Sequence, residues 1–386
     1  MKMNIENENR RIIYADNAAT TELDSEAFEA MLPFLRFQYG NASQPYSLGV
    51  ESKKALNKAR ETIAECICCE PNEIYFTSGG TESDNHALKL GFKIESADNR
   101  RQIVTSPIEH HAVLNSCKAL EKEKNAEVKY VPVSPSGEII LPEYEKMLSS
   151  CVKIVSIMTA NNEIGTVQPV AHLAKIAKES GAIFHTDAVA ALGHIAVNVK
   201  DSGIDMLSAS AHKFNGPKGI GFLYVKNGIK IKPFLDGGSQ ESGLRAGTEN
   251  VAAIVAMAQA LKNNTEHLAE NEKHLKELED LLLSRLRLLR IDFVQNGSGK
   301  TKVAGNISLS FAGVSGETLL HRLDLKGICV STGSACDGKK TQVSHVIQAI
   351  KTPSKYAEGT VRVSLGKRNT KEEVMKIADA LESILL

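Results

Sequence analysis

Short apolar runs alternate with longer amphipathic stretches between residues 50 and 270 of this chain. Apolar runs of about four to eight residues favour buried strands, whereas apolar residues three or four positions apart favour helices. The pattern predicts strands at residues 73–78, 102–106, 128–133, 153–159, 182–187, 206–210 and 221–225. It predicts helices at residues 50–67, 83–90, 113–123, 171–180 and 251–263. Since strands connected through helices run parallel, we expect an α/β domain with a mainly parallel sheet covered on both faces.

The pattern changes near residue 266, where a long charged helix is predicted over residues 266–289. Strands are predicted after it at residues 292–294, 306–311, 327–331 and 360–364, and helices at residues 316–325 and 371–384. At about 150 residues per domain, a chain of 386 residues also favours two domains. We therefore expect a flexible tail over residues 1–12, a large α/β domain over 13–263 and a small α+β domain over 264–386.

Composition narrows the classes of function. The chain has 46 basic and 46 acidic residues, so it lacks the basic surplus with which duplex-binding proteins neutralise phosphates. It contains no run of about 18 apolar residues, and its polar start, MKMNIENENRR, does not resemble a secretory signal. Its seven cysteines are an odd number, which favours reduced thiols over a disulfide framework. We expect a cytoplasmic protein without direct nucleic-acid or membrane partners.

Cys66 and Cys69 form a C-x-x-C pair, which suits redox chemistry or half of a zinc site. The second pair that a zinc site needs is missing from the sequence, and this pair lies at the end of a predicted helix. We therefore expect ordinary thiols here and no metal site.

Lys213 is the first candidate for chemistry. It follows the predicted strand 206–210 in the motif SASAHKFNGPKG, among hydroxyl side chains, a histidine and a Gly-Pro turn. A lysine at the end of a buried strand is costly to desolvate unless it is paired or covalently modified. A Schiff base with an aldehyde cofactor uses such an amine chemically. The alternative is a surface lysine in a turn, and Lys213 alone does not exclude it.

Two further segments favour a cofactor. Asp187 ends the apolar strand 182–187, at the edge where open α/β sheets bind ligands, and a carboxylate there can keep a pyridine nitrogen protonated. The turn TSGGTESDN at residues 77–85 joins a strand to a helix, and its N–H groups suit a phosphate. This turn is neither a P-loop nor a G-x-G-x-x-G fingerprint, so ATP and NAD lack support. A phosphate turn, an aspartate and a lysine in this chain order make a strong joint signal.

With these motifs the sequence resembles the fold-type I pyridoxal 5'-phosphate (PLP) enzymes, specifically the NifS/IscS-like cysteine desulfurases of the class V aminotransferase group. The resemblance runs from Ile13 nearly to the end of the chain. Its motifs are YADNAATT, FTSGGTESDN, IEHHAV, NNEIGTVQP, HTDA, SAHKFNGPKGIG, GLRAGTEN, GSAC and VRVSLG. The resemblance implies an enzyme that converts L-cysteine to L-alanine and passes the sulfur to an acceptor protein for iron–sulfur cluster assembly or thiolation.

The resemblance also implies which residues bind the cofactor. Lys213 would form the Schiff base, Asp187 would pair with the pyridine nitrogen, and His110 would stack on the ring and move protons. The alternative for His110 is a structural histidine. The positions that bind the phosphate in the family are matched by Gly80, Thr81, Ser210 and His212.

Substrate and subunit contacts are implied in the same way. Arg362 matches the residue that anchors the substrate carboxylate, a task that suits a planar guanidinium. Asn162 matches a position near both cofactor and substrate, and Asn41 a further substrate-binding position. Thr248 matches the threonine that reaches the phosphate of the neighbouring subunit, which implies a homodimer with shared active sites.

Cys336 matches the nucleophile that takes sulfur from the substrate as a persulfide. Its segment TGSACDGKK is small, polar and bracketed by glycines, which is typical of a mobile exposed loop. The nearby Lys339 and Lys340 could favour the thiolate. The alternative is an inert core thiol.

Three positions depart from the residues usual in the family. Ala190 replaces a glutamine that bonds the cofactor's ring oxygen, while Tyr46 and Thr159 stand where histidine is common. Losing one neutral hydrogen bond costs about 1 kcal/mol, which leaves activity in place. Two alternatives stay open. One is a related PLP lyase for selenocysteine, cysteine sulfinate or another β-substituted amino acid, and the other is a weakly active sulfur-relay or partner-binding protein.

Overall fold

The computed structural model describes residues 12–92, 100–123, 126–333 and 343–386. Residues 1–11 of the predicted tail, and Cys336 with Lys339 and Lys340, lie outside these described residues. Within the described chain the strands are β1 Ile13–Tyr14, β2 Ile74–Thr77, β3 Gln102–Thr105, β4 Glu127–Tyr130, β5 Val152–Ser156, β6 Ile183–Asp187, β7 Met206–Ser210, β8 Gly221–Val225, β9 Phe293–Asn296, β10 Asn306–Phe311, β11 Ile328–Cys329 and β12 Thr360–Ser364.

A sheet of seven strands in the order β2-β8-β7-β6-β5-β3-β4 forms the centre of the fold. Strands β3 to β7 pair in parallel, whereas β8 runs antiparallel between β7 and β2. Every residue of β7 and β8 is buried, while the edge strand β4 is partly exposed. The predicted α/β architecture with a mainly parallel sheet is confirmed.

Helices pack around this sheet and around a smaller sheet that is formed later in the chain. They are α1 Ser25–Arg36, α2 Ser47–Ile67, α3 Gly80–Asn85, α4 His111–Lys122, α5 Leu141–Met147, α6 Val170–Glu179, α7 Val199–Ser202, α8 Val251–Glu266, α9 Leu268–Leu288, α10 Gly316–Leu325, α11 His345–Ala349, α12 Ser354–Ala357 and α13 Lys371–Leu385. The apolar helix α8 packs against both α1 and α2. No helix among the described residues is both long enough and apolar enough to span a lipid bilayer.

A smaller antiparallel sheet has the order β12-β10-β9, and β1 pairs in parallel with β11 beside it. A separate apolar cluster lies here and contains buried side chains of α9, α10 and α13. Ile13 and Ala15 pack within this cluster, although they lie near the start of the chain. The proposed domain boundary at residue 264 stays a prediction.

Several elements differ from the sequence pattern in informative ways. Helix α1 was not predicted, and it contains Pro33 and begins at the N-cap Asp24, whose carboxylate accepts from the N–H groups of Glu26 and Ala27. The predicted helix over 83–90 begins earlier, as α3, and continues as a π-helical turn over His86–Leu90. The long charged helix begins at Leu268, because the chain breaks its helical geometry at His267.

Candidate active site

A cavity of about 270 Å³ opens at the carboxyl-terminal edge of the large sheet. Thr77 of β2 and Ser210 of β7 both pair with Gly221, so the turn after β2 and the end of β7 meet at this edge. Nine predicted site residues line the cavity: Gly80, Thr81, His110, Asn162, Asp187, Ser210, His212, Lys213 and Arg362. Of the other predicted site residues, Thr248 is exposed and Asn41 half-buried, and neither lines the cavity, while Cys336 is outside the described residues.

Lys213 ends a 3₁₀ turn, Ala211–Lys213, that directly follows β7. Its Nζ donates to the carbonyl oxygens of Ala18 and Ala19 at 2.6 and 2.9 Å. The amine is therefore held at the cavity wall by main-chain acceptors, on the side formed by the YADNAATT motif. This excludes the alternative of a lysine that extends into solvent from a surface turn.

Asp187 is the last residue of β6 and is almost fully buried. Its Oδ1 accepts from the N–H of Val189 at 2.8 Å. Burial raises the pKa of this carboxyl, while His110 and Lys213 act in the opposite direction. A cationic partner in the cavity would therefore be strongly attracted to Asp187.

Asp84 and His110 lie beside Asp187, and ligand atoms of the three side chains are within 4.8 Å of one another. Asp84 is fully buried, and its Oδ1 has no hydrogen-bond partner. Burial and the neighbouring Asp187 raise the pKa of Asp84 well above its usual value. The cavity therefore contains two carboxyl groups that compete for the same positive charge or proton.

His110 is the N-cap of α4, and its Nδ1 accepts from the N–H of Ala112 at 3.2 Å. Burial lowers the pKa of His110, which favours the neutral ring. Because Nδ1 is an acceptor, the proton of the neutral ring is on Nε2. The histidine is thus oriented by the helix end, with a defined tautomer.

Another part of the cavity wall is formed by the start of α3 and the end of β7. A Cβ on Gly80 would lie 2.5 Å from Cγ2 of Val189, so any larger residue would require the Val189 side chain to move. The exposed Lys218 lines an adjoining open pocket of about 390 Å³ together with Thr81, Ser210 and His212. N–H groups at a helix start, hydroxyl groups and a lysine suit a phosphate group.

Arg362 lies on β12 of the smaller sheet and reaches the cavity from the other side. Its Nη1 donates to the carbonyl oxygen of Asn162 at 3.0 Å, and its Nη2 to Oδ1 of Asp16 at 2.6 Å. Its Nε is buried without a hydrogen-bond partner. The guanidinium is therefore held in place and retains a donor for a further acceptor.

The three unusual positions have different surroundings. Ala190 lines the cavity directly, so a side chain at this position would affect a bound molecule. Thr159 is buried, and its hydroxyl pairs with that of Thr186 at 2.7 Å. Tyr46 is 52% exposed at the start of α2.

The cavity fits pyridoxal phosphate by the chemistry of its residues. The amine of Lys213, which suits the aldehyde, and the buried carboxyl of Asp187, which suits the ring nitrogen, line the same cavity. The imidazole of His110 lines it as well and could stack on the ring. Gly80 and the hydroxyl groups near it suit the phosphate. The buried Nε of Arg362, which has no hydrogen-bond partner, indicates that this space also accommodates a polar molecule.

Three residues that sequence reasoning did not assign contact the site residues: Asp16, Asp84 and Glu109. Each lies inside a motif that already stood out, respectively YADNAATT, FTSGGTESDN and IEHHAV. The signal was therefore present, but a carboxylate in a motif does not reveal whether it faces a cavity, an arginine or the core.

The fold and this site define a class of protein. Residues 13–377 match the aminotransferase class-V family, and the chain belongs to that family. Relatives within it are similar over nearly their whole length. The cysteine desulfurase IscS of Dictyoglomus turgidum is 46% identical over 97% of this chain and 95% of its own. The cysteine desulfurase IscS of Methanosarcina thermophila is 44% identical over 99% of this chain and 94% of its own.

Solved structures agree with these relatives. A NifS-like protein superposes with a TM-score of 0.91 at 39% identity, covering 97% of this chain and 99% of that chain. The structure of SspA in complex with cysteine superposes with a TM-score of 0.80 at 32% identity, covering 93% of this chain and all of that chain.

Proposed function

We propose that this chain is a PLP-dependent cysteine desulfurase that converts L-cysteine to L-alanine and transfers the sulfur, as a persulfide on Cys336, to an acceptor. The observation that carries the proposal is the convergence of Lys213, Asp187 and Arg362 on one cavity. The relatives named cysteine desulfurase, and the SspA structure with cysteine, support the substrate.

Pyridoxal phosphate, when bound, supplies an electron sink for negative charge on the substrate carbon next to the amine. Lys213 would hold its aldehyde carbon, and Asp187 would hold a proton at the ring nitrogen. His110, with its proton on Nε2, would cover the ring face. Gly80, Thr81, Ser210 and His212 would hold the phosphate.

The substrate would be oriented by Arg362 through its carboxylate, with Asn162 and Asn41 as further contacts. The amine of Lys213, once released, would take the proton from the substrate α-carbon and return it in forming alanine. The cavity lies between the end of the large sheet and Arg362 of the smaller sheet, so a bound substrate would be only partly open to water.

The Cys336 thiolate would attack the substrate sulfur, so that a sulfur–sulfur bond forms while the bond between that sulfur and the substrate β-carbon breaks. The β-carbon would keep the electron pair of the broken bond and take up a proton in forming alanine. Gly333 lines the cavity, and three peptide links limit the distance between the Cα atoms of Gly333 and Cys336 to about 11 Å. This limit is compatible with an attack by the Cys336 thiol inside the cavity. The sulfur would then pass to an acceptor protein for iron–sulfur cluster assembly or thiolation.

A homodimer and a cytoplasmic location belong to the same proposal. The phosphate end of the cavity opens outward through the pocket that contains Lys218, where a second copy could contribute Thr248. Leu35, Phe37, Tyr39 and Tyr46 are between 52% and 73% exposed around the junction of α1 and α2. Such a concentration of exposed apolar side chains is typical of an interface. The described cysteines are all free thiols, which suits a reducing compartment.

The test is to incubate the holoenzyme with L-cysteine, quantify alanine, and measure the mass of the peptide that contains Cys336. We expect alanine together with one added sulfur atom, and neither in Cys336→Ser. Cys68→Ser, which removes an exposed thiol elsewhere, should behave like the wild type. Alanine without the mass gain would indicate a direct lyase, and the same assay with selenocysteine and cysteine sulfinate would define its substrate. Absence of both signals would contradict the proposal.

A further inference from the structure

Asp16 and Arg362 form an ion pair at the edge of the active site. One carboxylate oxygen of Asp16, Oδ1, accepts from Nη2 of Arg362 at 2.6 Å. The side chain of Arg362 is only 6% exposed, whereas that of Asp16 is 19% exposed. The arginine is thus buried and fixed, and its counter-ion is the more accessible of the two.

The main chain holds Asp16 at this place. Its carbonyl oxygen accepts from the N–H of Ala19 at 3.0 Å, closing a turn, and the hydroxyl of Tyr14 donates to the carbonyl oxygen of Thr20 at 2.7 Å. The N–H of Ala18 donates to the hydroxyl of Ser364, two residues beyond Arg362 on the same strand, at 2.9 Å. These hydrogen bonds fix the turn that contains Asp16, and they place its side chain next to Arg362.

The ion pair with Asp16 does not use every donor of the Arg362 guanidinium. Arg362 donates through Nη1 to a carbonyl oxygen and through Nη2 to Asp16, while its buried Nε has no acceptor. A carboxylate that binds two guanidinium nitrogens together is held more strongly than one bound through a single oxygen. A substrate carboxylate that reaches Nε together with Nη2 would therefore compete well against Asp16, and the displaced Asp16 would gain water.

We propose that Asp16 is an internal counter-ion of Arg362 that a substrate carboxylate must displace, and that it makes the site selective. The proposal deepens the proposed function and rests on it, since it assumes that Arg362 receives the substrate carboxylate. A simple anion would displace Asp16 from the guanidinium of Arg362 without forming any other favourable contact. An amino acid is also bound through its amine, and this second contact compensates for the free-energy cost of displacing Asp16. Asp16 is thus a specificity-determining residue that keeps simple anions out of the cavity.

The probe is propionate, a carboxylate of similar size that lacks the amine. Its Kd for the holoenzyme is measured by calorimetry, together with its effect on Tm and its inhibition constant against L-cysteine. In Asp16→Asn, propionate should bind roughly tenfold more tightly or better than in the wild type, because no charged hydrogen bond has to be exchanged. The KM for L-cysteine should fall as well. The neutral analogue propionamide should show no such gain.

Two variants serve as controls. Asp16→Glu keeps the charge and should bind propionate as weakly as the wild type. Asp24→Asn removes another partly buried ion pair in the same part of the chain, with Lys367 at 2.9 Å, and does not line the cavity. Because its partner is Lys367 and not Arg362, this change should leave propionate binding unchanged.

Equal or weaker propionate binding in Asp16→Asn would overturn the proposal and leave Asp16 as an orienting group for Arg362. If this variant is unstable, propionate should raise its Tm far more than that of the wild type, because the anion replaces the lost counter-ion. A variant that stays unfolded with propionate in large excess also contradicts the exchange. These readouts do not depend on alanine formation, so a failure of the desulfurase proposal is recognised separately.

Discussion

Glu109 is fully buried immediately before His110 in sequence and next to Met158 in space. Its Oε1 accepts from the hydroxyl of Ser106 at 2.6 Å and from the N–H of Met158 at 3.1 Å, while Oε2 has no partner. Burial raises the pKa of Glu109 to about 8, and the charge of Asp187 contributes in the same direction. The folded protein therefore holds a proton on Glu109 at neutral pH that the unfolded chain releases near pH 4.5.

This proton makes stability depend on pH. Because the folded-state pKa is the higher one, its stabilising contribution is complete below about pH 4.5 and is lost as pH rises towards 8. We expect the free energy of unfolding to fall by up to about 1.4 kcal/mol per pH unit on this account. Glu109→Gln should flatten this slope between pH 6 and 8, measured by urea unfolding. Glu179→Gln, an exposed change on α6, should keep the wild-type slope.

Asp187 supports a prediction about catalysis. Asp187→Asn keeps the shape of the side chain but removes the charge that would hold a proton on the cofactor ring. We expect alanine formation to fall by roughly 10²-fold or more, with cofactor still bound by absorbance. Asp205→Asn, at the opposite end of the same sheet, is the matched control, since its carboxylate accepts from the N–H of Phe184 at 3.0 Å, pairs with Lys226 at 3.6 Å and does not line the cavity. Equal losses in both variants would point to a general effect on the sheet.

At the scale of elements, the segment before α8 is fastened to the large sheet by a buried ion pair. Arg60 of α2 pairs with Glu241 at 2.6 Å, and Glu241 also accepts from the N–H of Phe76 in β2 at 2.8 Å. Glu241 adopts a left-handed backbone conformation, with φ of 47°. The Arg60–Glu241 ion pair thus stabilises a turn with a strained backbone, seven residues before Thr248.

Breaking this pair should be costly. Glu241→Ala removes the carboxylate that neutralises Arg60 and leaves the N–H of Phe76 without its acceptor, although Arg60 keeps a bond to the carbonyl oxygen of Ile74. We therefore expect a loss of about 3 kcal/mol in the free energy of unfolding. Glu51→Ala on the same helix removes an exposed pair with Lys54 at 2.8 Å and should cost less than about 0.5 kcal/mol. Chemical denaturation of both variants checks the difference. Similar values for the two would show that burial adds nothing to the Arg60–Glu241 pair.

The sequence predicted the seven strands of the large sheet because all but the partly exposed β4 are short, mostly buried runs, and β7 and β8 were predicted with the bounds observed. It did not predict α1, because Pro33 interrupts the apolar pattern and the helix depends on tertiary packing against α8. Periodicity also does not give strand order. The antiparallel placement of β8 between β2 and β7 is set by contacts between residues far apart in the chain.

In the candidate site, too, local motifs could be predicted from the sequence, whereas contacts between distant residues could not. The motifs indicated Lys213 and Asp187, because their residue types carry recognisable chemistry, and the family resemblance indicated His110. They did not indicate that Asp16 would pair with Arg362, because 346 residues separate the two in sequence. Such a contact exists only after both sheets have assembled.

At the scale of the whole molecule, the exposed apolar side chains between α1 and α2 predict an interface with a second copy. Tyr39 is 73% exposed there. Tyr39→Asp should shift the protein from dimer towards monomer in analytical ultracentrifugation and weaken cofactor retention, since a shared site would lose Thr248. Leu325→Asp, an equally exposed apolar position on α10, should leave the dimer intact. A stable Tyr39→Asp dimer would place the interface elsewhere.

The pairing of Ile13 in β1 with Ile328 in β11 has a consequence for biosynthesis. Ribosomes add about 5–20 residues per second, so the partner strand emerges on the order of 15–60 s after β1. Arg362, the ion-pair partner of Asp16, is synthesised later still. The pocket cannot close around its cofactor during translation, and the nascent chain has to keep its first strand available until nearly all of the protein has been made.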